Sequence, residues 1–306
     1  MNDQADNLRR AIKKLDQAAV LEAPSVSHPQ CISPAKVFTV TSGKGGVGKT
    51  NISINLAIAL CEMGYRVAVI DADFGLANVE VLFGAIPKYT LLDVIHNEKT
   101  ISEVLCEGPR GISFISGGSG VEEIIRLGSD QIASLVANLS VIDNDFDIII
   151  IDTGAGISET VIGMALAADE VLLVTTPEPT AITDAYALIK ALFQRDRDRV
   201  IRVIVNRAES EKEATEIMAK LSQVSEKFLD LELLKLGYIP NDAVVIRSVK
   251  RQMPFIVGFP NSASSRNTQQ IARTLMNCEQ YQETKSGKGL SGFISKISRV
   301  FTMQSK

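Results

Sequence analysis

Short apolar runs alternate with amphipathic stretches between residues 36 and 282 of the chain. Runs that are apolar throughout indicate strands buried on both faces of a sheet, and apolar residues at three- and four-residue spacing indicate helices. The predicted strands are 36–41, 66–70, 112–116, 147–151, 171–174, 200–205 and 235–239. The predicted helices are 50–63, 130–142, 158–167, 181–194, 211–227 and 263–280. This alternation predicts a three-layer α/β fold with a mostly parallel, doubly wound sheet, whose ligands bind at the carboxyl ends of the strands.

Residues 1–20 form a separate amphipathic pattern ahead of this domain. Basic side chains occupy the other faces of this predicted helix. The apolar positions are Ala5, Leu8, Ile12, Leu15 and Ala19. Prolines and serines follow over residues 21–35, which predicts an extended linker. We therefore expect a tethered N-terminal helix, with docking onto the domain of residues 36–282 as the alternative.

Residues 283–306 hold a second polar stretch and a second amphipathic pattern. One helix face carries Leu290, Phe293, Ile294, Ile297, Val300 and Phe301. Such a face can pack back onto the domain or insert reversibly into the interface of a membrane. Two phenylalanines on a tethered helix favour the membrane. So short a helix binds lipid weakly, and dimerisation would multiply its affinity by pairing two copies.

Composition narrows the choice of partners and compartment. The 306 residues carry a formal net charge of -4, which argues against broad electrostatic binding to nucleic acid. We therefore expect no direct DNA contact. The four cysteines form no CxxC pair, no signal peptide opens the chain, and no apolar run approaches the roughly 20 residues of a spanning helix. This pattern predicts a cytoplasmic protein.

A glycine-rich segment follows the first predicted strand and opens the first predicted helix. Its residues are Ser42, Gly43, Lys44, Gly45, Gly46, Val47, Gly48, Lys49, Thr50 and Asn51. Glycines let backbone N–H groups turn towards phosphate oxygens, and the helix N-terminus adds positive charge. In this motif Lys49 reaches the β- and γ-phosphates and the Thr50 hydroxyl ligates Mg²⁺. The flanking strand and helix favour a phosphate loop over a chance glycine-rich turn, so ATP and Mg²⁺ are the predicted cofactors.

Lys44 is an additional lysine near the start of this loop. An ordinary Walker A motif needs only the lysine before Ser or Thr, here Lys49. A second lysine at the position of Lys44 marks the deviant form of the motif. The alternative is a solvated loop lysine.

Three aspartates follow predicted strands. Asp71 and Asp73 come after Ile70, and Asp152 ends a run of four isoleucines. Carboxylates at this edge can orient an attacking water or hold the Mg²⁺ shell, so we predict Asp73 to be catalytic and Asp71 and Asp152 to serve the metal with Thr50. Alternatively, Asp71 and Asp73 cap the next turn.

Two other strand ends supply candidates for adenine. Asn206 and Arg207 end one strand, and Pro240 and Asp242 follow another. An amide can donate to and accept from the adenine edge. Asn at a strand end is also a common turn former.

Three segments, 44–50, 71–79 and 176–186, resemble the MinD/ParA class of ATPases. More narrowly, the chain resembles the FlhG family of flagellar number regulators over most of its length. The most discriminating match is a DQAxxLR segment made of Asp3, Gln4, Ala5, Leu8 and Arg9. In that family the segment stimulates the GTPase FlhF.

The resemblance implies an ATP-driven cycle at the inner face of the cell membrane. Monomers would bind Mg-ATP, form a face-to-face dimer, expose the C-terminal helix to inner membrane lipid, and then hydrolyse ATP. Lys44 would act on the facing subunit's nucleotide, Asp73 would align water, Asp152 would support the Mg²⁺ shell and Asn206 would contact adenine. The implied partners are a second copy of the chain, FlhF, flagellar switch-ring proteins and the master activator of flagellar transcription.

Other functions on the same fold remain open at this point. A division-site ATPase of the MinD type lacks the N-terminal extension, and a ParA-type partitioning ATPase needs a basic surface. An iron–sulfur carrier needs a cysteine pair. A nucleotide-sensing adaptor would bind ATP but hydrolyse it negligibly alone.

Overall fold

The computed structural model describes residues 34–73, 78–84, 87–117, 129–277 and 289–302, which all lie in one compact unit, Cys31–Lys306. The predicted N-terminal helix and most of its linker lie outside the described residues. All of the predicted partner-activating residues also lie outside the described residues: Asp3, Gln4, Ala5, Leu8 and Arg9. The side chains of Val300 and Phe301 also lie outside what the structure describes.

The centre of the unit is an eight-stranded sheet. Its strands are β1 Lys36–Ser42, β2 Val67–Ala72, β3 Cys106–Glu107, β4 Ser113–Ser116, β5 Ile148–Ala155, β6 Glu170–Thr175, β7 Ile201–Ala208 and β8 Leu234–Pro240. Their order is β3-β4-β2-β5-β1-β6-β7-β8, and only the edge pair β3-β4 is antiparallel. All seven predicted strands are confirmed. The sequence missed β3, which has only two residues.

Helices cover both faces of this sheet. They are α1 Lys49–Glu62, α2 Asn78–Phe83, α3 Leu91–Ile95, α4 Ile101–Val104, α5 Ser129–Ser140, α6 Glu159–Ala167, α7 Pro179–Arg195, α8 Glu211–Leu229, α9 Ala243–Lys250, α10 Phe255–Gly258, α11 Ala263–Asn277 and α12 Gly289–Thr302. Ile148 and Ile150 pack in the core under α1 and α11, whereas Ile149 and Ile151 pack in the core under α5, α6 and α12. The isoleucine run of β5 is therefore apolar throughout because helices cover the sheet on both faces there, and the predicted three-layer α/β fold is confirmed.

Strand register brings the functional candidates to one edge. Asp152 of β5 lies opposite Asp71 of β2 and Val40 of β1. Strand β1 sits between β5 and β6, so the loop after it opens where the strand order reverses. Crevices at such points bind ligands in open α/β sheets.

The C-terminal helix α12 is docked onto the domain. It packs against α5 and α6 and makes contacts to β1. Its buried residues, each at most 4% exposed, are Leu290, Phe293, Ile294 and Ile297. The sequence favoured insertion of this helix into a membrane interface, with docking onto the domain as the alternative. The structure shows these four residues docked in the protein core, and membrane binding stays a prediction. Among the described helices, none is long and apolar enough to cross a membrane.

Candidate nucleotide-binding site

The loop between β1 and α1 has the backbone geometry of a phosphate cradle. Gly46 and Gly48 adopt φ of +75° and +96°, a region that side chains disfavour. A β-carbon on Gly43 would lie 2.1 Å from the carbonyl oxygen of Asp184 in α7. A β-carbon on Gly48 would lie 2.5 Å from the Asn206 side-chain nitrogen. Glycine is thus required by backbone conformation at two of these positions and by close packing at Gly43 and Gly48.

Two cavities meet at this loop. A cavity of about 590 Å³ is lined by the predicted phosphate-loop residues Gly45, Gly46, Gly48, Lys49, Thr50 and Asn51, together with Asp73 and Arg207. A second cavity of about 630 Å³ is lined by the predicted adenine residues Asn206, Arg207, Pro240 and Asp242. Gly48, Asn51, Arg207 and Val249 line both. The arrangement offers one compartment for phosphates and an adjoining one for a base.

Lys49 and Asp152 are buried ionisable residues of the site. Lys49 is 7% exposed, and burial lowers the pKa of its ammonium against the opposing charges of Asp152 and Asp73. Asp152 is fully buried, and burial raises the pKa of its carboxyl to about 7, against hydrogen bonding by Thr50 and Ser53. A phosphate chain beside Lys49 would favour its charged form.

The side-chain oxygen atoms around Asp152 are suitable ligands for Mg²⁺. The Ser53 hydroxyl donates to Asp152 Oδ1 at 2.8 Å, whereas Oδ2 is buried and accepts no hydrogen bond from any described residue. Mg²⁺ takes oxygen ligands and is commonly held by one or two protein groups together with phosphate. Among the described residues, no group of three or more His, Cys, Asp or Glu could hold a metal. Thr50 and Asp152 would therefore hold Mg²⁺ jointly with the nucleotide.

Asp71 and Asp73 occupy different environments. Asp71 is buried, and its two oxygens accept the backbone N–H groups of Asp73 and Val79, each at 3.1 Å. This is the turn-capping arrangement that the sequence offered as an alternative, so a metal contact by Asp71 stays a prediction. Asp73 is half-buried and lines the phosphate cavity. A β-carbon on Gly154 would lie 3.2 Å from Asp73 Oδ1, so Gly154 gives this carboxylate its space.

Lys44 is held at the exposed edge of the loop. Its Nζ donates to Glu178 Oε2 at 2.7 Å and to Thr180 Oγ1 at 2.7 Å, both at the start of α7. Its backbone oxygen accepts the Ser42 hydroxyl at 2.7 Å. Lys44 is not one of the described residues that line the phosphate cavity. The sequence predicted a special lysine here and singled out segment 176–186, which contains Glu178 and Thr180, but it did not predict their contact with Lys44.

Asn206 ties the phosphate loop to β7. Its side-chain nitrogen donates to the Val47 carbonyl at 2.7 Å, and its oxygen accepts the backbone N–H of Arg207 at 2.9 Å. Arg207 has φ of +57°, an unusual conformation for a residue with a β-carbon, and such strain is often found at functional sites. Contact of these residues with adenine stays a prediction.

The base compartment also contains residues that the sequence did not suggest. Helix α9 supplies Val245, Ile246 and Val249 to its lining, and Ile246 is 61% exposed. Asp242 caps this helix by accepting the backbone N–H of Val244 at 3.0 Å. The Asp-x-Val pattern was the available signal for the start of α9.

Comparison with known proteins identifies the family of this chain. A family model described as ParA, NUBPL iron-transfer P-loop NTPase, matches residues 33–276. The chain belongs to the ParA family. As a ParA-family P-loop NTPase it is an ATPase whose cofactors are ATP and Mg²⁺. The iron transfer in that description would call for a cysteine pair, and the chain contains no CxxC.

Relatives place this ParA-family ATPase more narrowly. It is 46% identical over 233 residues to the antiactivator FleN of Pseudomonas aeruginosa, covering 76% of the chain and 83% of that protein. It is 39% identical to the flagellum site-determining protein YlxH of Helicobacter pylori, covering 79% of the chain and 82% of that protein. The MinC:MinD cell division complex of Aquifex aeolicus matches with a TM-score of 0.64 and 27% identity, covering 79% of this chain and 96% of that one.

Proposed function

We propose that this ATPase is a nucleotide-dependent switch that regulates the number and placement of flagella. Two similar proteins are named for an antiactivator and for the determination of the flagellar site. The single observation that carries the switch is the docked helix α12, whose seat includes Ile70 and Ile151. These two residues directly precede Asp71 and Asp152 at the nucleotide site. Each of these aspartates is therefore one position along the chain from a residue that contacts α12, so a movement of β2 or β5 at the nucleotide site would alter the seat of the helix.

The residues of one chain account for binding and for positioning of water. The loop N–H groups and the Lys49 ammonium bind the phosphate oxygens, while Thr50 and Asp152 hold the metal side of the nucleotide. Mg²⁺, when bound, neutralises charge that develops on the phosphates. Asp73, at the cavity wall, accepts a hydrogen bond from the attacking water and orients it.

Lys44 completes the site of a second copy. It lies at the exposed edge beside α7, outside the lining of the phosphate cavity among the described residues. In a face-to-face dimer the Lys44 ammonium would stabilise charge on the facing nucleotide, as an arginine finger does.

Membrane binding would require α12 to exchange one apolar environment for another. Burying a large apolar side chain contributes about 1.5–3 kcal/mol, and four such side chains are buried beneath α12. Release into water would therefore be costly, whereas transfer into the lipid interface would offset most of that loss. We infer that dimerisation loosens the seat and that two paired helices then bind the inner face of the cell membrane.

The partners of this switch would be flagellar proteins. We propose that the segment with Gln4 stimulates FlhF, and that switch-ring proteins and the master transcriptional activator bind the chain. A peptide of residues 1–25 should accelerate GTP hydrolysis by FlhF, and Gln4→Ala should abolish the effect. A native peptide without effect on FlhF would exclude this role.

Phosphate release by the purified protein tests the catalytic assignments. We expect Asp73→Ala and Lys44→Ala to lower turnover by about 100-fold or more, while Lys190→Ala, at an exposed position of α7, should not. Asp73→Ala should also elute as a dimer in gel filtration with ATP and as a monomer without it. Equal turnover in all variants would remove the assignments. Turnover that appears only with lipid vesicles and FlhF would favour the nucleotide-sensing adaptor.

A further inference from the structure

Helix α9 forms one wall of the base compartment and has little core of its own. It contributes Val245, Ile246 and Val249 to the lining. Of its eight residues, just two, Val244 and Ser248, are buried. Its main packing partner among the described elements is the short helix α10. The position of this wall therefore depends on the position of α10.

A tight turn of residues 251–254 joins α9 to α10. The Met253 N–H donates to the Ser248 carbonyl at 3.2 Å, and Gln252 adopts φ of +50°, which closes the turn. Pro254 occupies the N-cap position of α10, where its ring restricts the backbone. A displacement of α10 would therefore carry α9 with it.

Asn55 joins α10 to α1, the helix that follows the phosphate loop. Its side chain is fully buried, and its Oδ1 accepts the backbone N–H of Ile256 in α10 at 2.9 Å. Its Nδ2 donates to the Asn51 carbonyl at 2.7 Å. Because an N–H needs an acceptor and a carbonyl needs a donor, the amide fits in one orientation only. Asn51 lines both compartments, so this one amide connects the floor of the nucleotide site to α10.

The first N–H groups of a helix have no partner within it, and Ile256 lies in the first turn of α10. Asn55 therefore supplies an acceptor that the short helix cannot supply itself. Helix α10 has a second anchor on α11, where the Ser265 hydroxyl donates to the Phe259 carbonyl at 2.8 Å. Loss of the Asn55 contact should therefore shift the wall of the base compartment rather than unfold it.

We propose that Asn55 is a positioning residue that sets the width of the base compartment, by holding α10 and with it α9 at a fixed distance from the phosphate loop. This inference rests on the assignment of that cavity to the base, and it does not depend on the flagellar role. Lys49 and Thr50 lie in the first turn of α1 and make no use of α10. Asn55 thus acts on the binding of the base and leaves the binding of the phosphates unchanged.

The affinities of the full-length protein for ADP and for inorganic pyrophosphate, both with Mg²⁺ and measured by calorimetric titration, test this role. ADP carries no γ-phosphate to be hydrolysed, and the ratio of the two affinities isolates the contribution of the base. Asn55→Ser keeps a donor for the Asn51 carbonyl, but its side chain is one bond too short for Ile256. The ratio should therefore fall by about 10-fold, the equivalent of one buried hydrogen bond.

Asn55→Asp is the matched variant that keeps an oxygen for the Ile256 N–H. It should keep the wild-type ratio, because its added charge acts on both ligands alike. Leu221→Ala controls for lowered stability. Leu221 is buried in α8, in an apolar cluster separate from the one under α1, and is not among the described residues that line either compartment. This variant should also keep the wild-type ratio.

Three results would overturn the role of Asn55: a wild-type ratio in Asn55→Ser, a fall in Asn55→Asp as large as that in Asn55→Ser, or the same fall in Leu221→Ala. A different result would remove the assignment on which the inference rests. If the wild type bound pyrophosphate as tightly as ADP, the cavity beside α9 would not hold the base, and the inference would fail with it.

Discussion

Asp143 closes the first turn of the C-terminal helix by accepting the backbone N–H of Leu290 at 2.6 Å on its Oδ1. Its Oδ2 accepts the backbone N–H of Ser291 at 3.3 Å and also the Ser291 hydroxyl. A helix leaves its first N–H groups without partners, and here the cap comes from a residue 147 positions earlier in the chain. The cap therefore exists only while α12 is docked, so it stabilises docking as well as the helix.

Asp143→Ala should loosen this docked state. Loss of a capping side chain costs about 0.5–2 kcal/mol. The released helix has no contact with Asp143, so the substitution destabilises only the docked state and lowers the free energy of docking by this amount. Hydrogen exchange of residues 289–302 should accelerate in the ADP-bound variant. A larger fraction of the variant should also sediment with anionic phospholipid vesicles in ADP.

Asp145→Ala is the matched control for this change. Asp145 lies in the same turn but is exposed, and its replacement should leave exchange and sedimentation at wild-type values. Equal exchange of residues 289–302 in Asp143→Ala and wild type would show that the cap does not hold the helix.

Gly43→Ala should destabilise the protein even without nucleotide. Its β-carbon would fall 2.1 Å from the Asp184 carbonyl oxygen, and forced backbone shifts of this kind cost about 1–3 kcal/mol. Gly45→Ala, whose nearest neighbour would be the Ala155 side chain at 4.0 Å, should change the melting temperature little. Thermal unfolding of both variants measures the difference. Equal melting temperatures would mean that α7 moves aside at little cost.

The chain pattern predicted the central layer well because its signals are local. The four isoleucines before Asp152 form a short, β-branched run of the kind that favours a doubly buried strand, and the glycine-rich loop between β1 and α1 carries its chemistry in consecutive residues. Helices α4 and α10 were missed because four residues hold about one helical turn and show no period. The Thr90 and Asp93 capping box at α3 was a usable signal.

The rest of the site depends on residues that approach each other from distant parts of the chain. Sequence predicts that Lys44 is special, but not that Glu178, 134 positions away, accepts a hydrogen bond from its ammonium. Likewise the amide of Asn206 is engaged by Val47 across 159 positions. The apolar face of α12 shows that the helix needs an apolar neighbour, and it does not distinguish a groove from a lipid surface because both satisfy the same pattern.

Asp152→Asn should stabilise the metal-free protein in a pH-dependent way. The Asp152 carboxyl has a pKa of about 7 in the fold, against about 3.9 when unfolded. Between these values the folded state keeps a proton that the unfolded state has lost, so wild-type stability falls as the pH rises from about 4 to about 7 and is level above. The variant does not titrate there. Its advantage should be largest at pH 8 and should shrink by on the order of 1 kcal/mol per pH unit below 7.

Denaturant unfolding at several pH values, with a chelator present, measures this advantage. Asp145→Asn, at an exposed position, should track the wild type throughout. A difference between Asp152→Asn and wild type that stays constant from pH 5 to pH 8 would contradict the burial of an ionisable carboxyl.

The apolar face of α12 should pack against the domain in ADP and bind lipid in ATP. The wild type should sediment with anionic phospholipid vesicles in ATP and remain in solution in ADP. Phe293→Glu combined with Phe301→Glu should abolish sedimentation in both nucleotides, because a charged side chain is unfavourable in the lipid interface. The same variant should melt at a lower temperature in ADP, because Phe293 is only 4% exposed in the docked helix. Lys190→Glu alters net charge by the same two units away from this helix and should retain both properties. Sedimentation of the double variant in ATP would show that another surface binds the lipid.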